Sequence, residues 1–128
     1  MLFRSDNRLP VFLDFWTART CIRQLAATRT DGRRLAWVLM PNHFHGLVSL
    51  GEHTDLSDLM QQLKGASALA VNKHLSRRGA LWQPGFYDHA LRREESRIDA
   101  ARYIVANPLR AGLVKKLGDY PHWDSVWL

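Results

Sequence analysis

The apolar residues Phe12, Phe15, Trp16, Cys21, Ile22, Leu25 and Ala26 recur at spacings of three and four, which predicts a first helix over about Phe12 to Ala27. The polar stretch Thr28 to Gly32 ends it. Leu35 to Met40 and His43 to Leu50 are short apolar runs on either side of Pro41-Asn42, the pattern of two antiparallel strands joined by a tight turn. From Asp55 to about Ser76 the helical period returns through Leu56, Leu59, Met60, Leu63, Ala66, Leu69, Ala70 and Leu75. Thr54 or Asp55 serves as its N-cap, and this is the longest predicted helix. Arg77-Arg78-Gly79 breaks it, and Phe86 to Leu91 alternates as a further strand would. Glu94-Glu95-Ser96 opens a last helix carrying Ile98, Ala101, Tyr103, Ile104 and Val105. Asn107-Pro108 disturbs or ends that helix, because the residue before a proline is pushed out of the α region.

The order α, β, β, α, β, α, with a strand stub in Met1 to Arg4, predicts an α+β sandwich: an antiparallel sheet with helices packed mainly on one face. At 128 residues the chain has the size of one domain able to bury its own core, so 1–128 is taken as a single domain, with 115–128 a short aromatic-bearing tail.

Charge narrows the choice of partner. Eighteen Lys+Arg face twelve Asp+Glu, for a net charge of +6, so the field attracts polyanions and nucleic acid is the first partner to consider. No apolar run approaches the length of a bilayer span, and the opening residues do not read as a secretory signal; a cytoplasmic protein is expected. The single cysteine, Cys21, excludes an internal disulfide and falls on the apolar side of the first helix, where it reads as a small core residue.

Two short stretches carry the candidate chemistry. On a strand, residues two apart share a face about 7 Å apart, so His43 and His45 project together while Phe44 faces the other way. Two imidazoles so placed can converge on a metal ion, or simply form a polar sheet face. In Arg102 to Pro108, Tyr103 and Asn107 are four apart and stack on one helix face, presenting a phenol beside an amide. The plainer reading is a half-buried core tyrosine and a helix-terminating asparagine.

Taken together, MPNHFHGLV, then LKG, then LWQPGFYDHALR, then YIVANPLRAGLV resemble the REP-associated tyrosine transposases, within the wider class of HUH single-strand transposases and nucleases. The resemblance spans roughly Arg8 to Val114 and rests on several separated motifs in the right order. It implies a ferredoxin-like fold in which a His-hydrophobic-His pair on a central strand binds a divalent metal, magnesium or manganese, and a helix tyrosine attacks a DNA phosphate. His43 and His45 match the histidine pair, Tyr103 the nucleophile, and Asn107 the position that supplies a third ligand. The softness of imidazole favours transition metals, so zinc or nickel could also occupy such a site. The family usually begins with a complete strand, of which only Met1 to Phe3 could remain here, so a late start, a truncation or an uncovered sheet edge are the alternatives.

The resemblance also implies single-stranded or hairpin DNA as substrate, cleaved and rejoined through a 5′-phosphotyrosine intermediate by a monomer or homodimer. Candidate DNA contacts are Arg77, Arg78, His89, Arg92, Arg93, Arg102 and Arg110, with Trp82 either a stacking surface for an unpaired base or a core residue. Arg97, Lys115 and Lys116 could extend the basic surface, whereas His53, His74 and His122 are expected to face solvent. A non-catalytic nucleic-acid-binding relative and a phosphoesterase that uses water are the competing readings.

Overall fold

Four antiparallel strands form one sheet in the order β1-β3-β2-β4, where β1 is Leu2–Arg4, β2 is Arg33–Met40, β3 is His43–Ser49 and β4 is Trp123–Ser125. The helices are α1 (Phe15–Ala27), α2 (Leu56–Leu75), α3 (Glu94–Val105) and the single turn α4 (Asn107–Arg110). The structure is a computed structural model that describes residues 1–28, 32–91 and 94–127. No helix among these residues is long and apolar enough to cross a membrane.

Alternation along the two central strands divides the molecule into layers. Phe3, Leu39 and Phe44, with Trp37 beside them, point to one face and pack against α1 and α2. Ala36, Val38 and Met40 point to the other, where they meet Ala101, Ile104 and Val105 of α3 and Tyr120. The two longest helices thus share one face, and α3 alone crosses the other.

Local chemistry sets the helix ends. Asp14 caps α1 by accepting the Thr17 N–H at 2.9 Å, and Asp55 caps α2 by accepting the Asp58 N–H at 2.8 Å. α2 stops at Ser76, which takes the left-handed conformation at φ 52°.

The first predicted helix is split: Val11–Leu13 form a 3-10 turn, and the helix restarts after the Asp14 cap. This rotates Phe12 into the core and leaves Phe15 and Trp16 exposed. The expected strand over Phe86 to Leu91 is absent. The stretch from Leu81 to Tyr87, broken by Pro84 and by Gly85 at φ 77°, instead runs beside β1 with isolated bridges, Ser5 with Trp82 and Leu2 with Tyr87, and no ladder continues beyond Tyr87. Those bridges cover the edge of β1 that a shortened first strand could leave open. Conversely, the C-terminal tail contains a strand: β4 pairs with β2 through Ala36 and Ser125, Trp37 and Asp124, and Val38 and Trp123. Its neighbour His122 is buried rather than solvent-facing, with its ring edge-on to Tyr120, while His53 and His74 are exposed. Asn107-Pro108 bends the helical path without ending it, since Pro108 sits in the first turn of α4, where a missing N–H costs nothing.

Candidate active site on the histidine face

Register fixes where the histidines point. His43 lies between Arg4 of β1 and Met40 of β2, and His45 between Leu2 and Val38. Val38 and Met40 pack against Ile104, so both imidazoles face α3. Phe44 turns to the opposite face, 5.2 Å from the Phe3 ring and stacked at 6.4 Å on Trp37. Gly46 completes the motif: a Cβ there would come within 2.9 Å of the Phe44 ring, so a side chain would displace that stack.

The electrostatics keep both imidazoles neutral. Burial, then the charge of Arg4, holds His43 below its usual value. Burial acts most strongly on His45, followed by the amino terminus, His43 and Arg110, and pushes it to about 4. The Nδ1 of His43 lies 2.9 Å from Asn42 Oδ1, an atom that can only accept. Nδ1 therefore carries the hydrogen, and the Nε2 lone pair is available to a ligand.

Tyr103 is 61% exposed, anchored by the buried Ile104 beside it. With His45, Leu47, His89, Leu91 and Ala100 it lines a cleft of about 200 Å³ between α3 and the sheet. The guanidinium of Arg110 sits 3.7 Å above its ring. The other tyrosines differ. Tyr120 is buried, donates to the Leu39 carbonyl at 2.5 Å and is pushed up to about 12 by burial, so it is locked in the core. Tyr87 is exposed with Arg4 over its ring at 5.2 Å. Asn107 is half-buried one helical turn beyond Tyr103, at the start of α4.

The residue types fit a divalent ion. Two imidazoles on one sheet face, His43 and His45, are candidate donors, and Asn107, one helical turn beyond Tyr103, is the candidate third. Among the described residues no group of three His, Cys, Asp or Glu could hold a metal, so this set lacks a carboxylate and would need water or substrate oxygens to complete it.

The candidate DNA contacts fare unevenly. His89 and Arg110 reach the neighbourhood of the cleft. Arg102 is exposed and pairs loosely with Asp99 at 3.9 Å, and Arg78 is exposed in the loop after α2. Arg77 folds its guanidinium back toward the Ala80 carbonyl at 3.5 Å. Trp82 belongs to the core: it is 5% exposed, packs at right angles to Phe3 and at a tilt to Phe12, and its indole N–H donates to Ser67 Oγ at 2.9 Å. Its size and indole N–H are what made it resemble a stacking surface; no base can reach it here. Arg92 and Arg93 lie outside the described residues. Sequence reasoning missed Arg4, although its place in the strand stub, two residues from Leu2, was the available signal. It also left Lys64 of the LKG motif without a role; its ammonium donates to the carbonyls of Gln83 and Gly85 at 2.6 and 2.7 Å.

Comparison with known proteins bears on the family and the fold. The chain is 32% identical over 87 residues to the REP-associated tyrosine transposase of Escherichia coli (strain K12), an alignment covering 67% of this chain and 50% of that protein. The chain spans about half the length of the curated relatives it matches. A solved structure of a REP-associated tyrosine transposase bound to a REP hairpin superposes with a TM-score of 0.74 at 25% identity, covering 95% of this chain and 72% of that one. The family model described as "Transposase IS200 like" matches residues 3–107, and the chain belongs to that family.

Proposed function

We propose that the chain is a tyrosine transposase or nickase domain that cleaves and rejoins single-stranded DNA at REP-like hairpins, with Tyr103 as nucleophile. The observation that carries this reading is the shared cleft of Tyr103, His45 and His89, which sets an exposed phenol beside the imidazole of His45. The hairpin substrate is supported by the relative solved with one, and the net charge of +6 suits a polyanion.

In the proposed reaction the Tyr103 oxygen forms a bond to the scissile phosphorus and the bond from phosphorus to the 3′ oxygen breaks. The phenol loses its proton, the 3′ oxygen gains one, and one diester replaces another, so attack by the 3′ hydroxyl reverses the step. His43, His45 and Asn107 would hold a magnesium or manganese ion, which supplies Lewis-acid polarisation of the phosphate when bound. Both half-buried imidazoles face α3, and His45 shares with the Tyr103 phenol the cleft in which the phosphate would lie.

Incubating the protein with labelled hairpin and manganese, then running a denaturing gel, tests the reading. The parent protein is expected to form a covalent adduct, Tyr87→Phe to retain it, and Tyr103→Phe to lose both adduct and cleavage while binding the hairpin as before. Sustained cleavage by Tyr103→Phe without adduct would overturn it in favour of a water nucleophile. Hairpin binding without any cleavage by the parent would leave a DNA-binding domain.

A further inference from the structure

Resting on that reading, we propose that Arg4 and Arg110 form a guanidinium bracket: each lies against a tyrosine ring, together they take the non-bridging oxygens of the scissile phosphate, and Arg110 also fixes the Tyr103 ring. Arg4 stands directly across from His43 in the pairing of β1 with β3, on the same face of the sheet. Its guanidinium lies 5.2 Å from the centre of the Tyr87 ring. Arg110 lies 3.7 Å from the centre of the Tyr103 ring, and Tyr103 shares its cleft with His45. Each arginine thus lies against one phenol ring, Arg4 beside His43 in the strand register and Arg110 on the tyrosine that shares a cleft with His45.

Among the described residues neither arginine pairs with a carboxylate. Stacking occupies the flat face of a guanidinium and leaves its in-plane N–H donors, which match a phosphate's oxygens two at a time. Two fixed cations beside a donor set without a carboxylate attract an anion. A phosphodiester is the anion this charge pattern suits. It remains a diester of charge −1 once joined to Tyr103, so the same bracket serves cleavage and rejoining alike.

Single-turnover adduct formation at saturating hairpin separates chemistry from binding. Arg110→Ala is expected to slow the step by about 10² to 10³, as for loss of one preorganised donor at a reacting centre, with hairpin affinity changed only a few-fold. Arg110→Lys should restore less than a tenth of the lost rate, because an ammonium supplies charge without the planar fork. Arg4→Ala should slow the step at least tenfold.

Independently of activity, 3-fluorotyrosine labelling reads the stacks by ¹⁹F resonance, assigned with Tyr→Phe variants. Arg110→Ala should move the Tyr103 signal and Arg4→Ala that of Tyr87, while buried Tyr120 stays put and reports an intact fold. Parent-like rates in both alanine variants, full rescue by lysine, or an unmoved Tyr103 signal in Arg110→Ala would overturn the bracket. Cleavage by Tyr103→Phe would overturn the underlying reading instead, whatever the arginine variants do.

Discussion

Leu2 and Tyr87 exchange two backbone hydrogen bonds of 2.8 Å, each the other's donor and acceptor. This one-residue bridge, with the Gln83 N–H donating to the Arg4 carbonyl at 2.8 Å, lays an irregular segment along a strand only three residues long. The same segment is fastened from the helix side by Lys64. Lys64→Met keeps the aliphatic stem and removes both charge-assisted bonds, so it should cost about 1–3 kcal/mol in denaturant unfolding. The amides of Leu2 and Tyr87 should exchange faster with deuterium. Unchanged exchange there would show that the bridge stands without the lysine.

Metal binding should follow the histidine face and spare the fold, since neither imidazole belongs to the apolar core. Calorimetric titration with manganese should show binding to the parent, none to the His43→Ala, His45→Ala double variant, and weaker binding to Asn107→Ala. An unchanged affinity in the double variant would place the ion elsewhere.

Acid should destabilise the metal-free protein in a defined window. His45 titrates at about 4 in the folded chain, against roughly 6.5 when unfolded. His43 and the buried His122 are also lowered, both chiefly by burial. Between those values the unfolded chain binds more protons, so the histidines' contribution is complete above about pH 6.5 and is lost as pH falls toward about 4. The Tm should fall across that interval, and His45→Gln should flatten the slope. An equal slope in the variant would assign the loss to other groups.

Trp82→Phe tests whether that residue is structural. Losing the indole bond to Ser67 and part of a packed ring should lower stability by about 1–3 kcal/mol. Hairpin affinity should not change, and a large loss of affinity at full folding would return Trp82 to the DNA surface.

The sequence made the central elements legible because their patterns are locally complete. Leu56 to Leu75 repeats its apolar positions over five turns, and the period of two in His43-Phe44-His45 assigns both histidines to one face. What escaped depends on distant partners. Trp123-Asp124-Ser125 is too short to show a period and becomes a strand only because β2 offers an edge. Phe86 to Leu91 alternates in composition, yet Pro84 and Gly85 prevent a ladder. The stack of Arg110 on Tyr103 joins residues seven apart, which share a helix face but lie two turns from each other, and the contact across the break at Ala106 depends on side-chain reach that the period alone does not give.

The two-residue turn of Pro41 and Asn42 holds more than a hairpin together. It sets the phase of β3 against β2, pairing Met40 with His43. Slipping that phase by one residue would present Phe44 to α3 and drive both imidazoles into the apolar layer beneath α1 and α2. A one-residue insertion or deletion at this turn would thus exchange the faces of the sheet, so that this short connection meters the site as strictly as any residue within it.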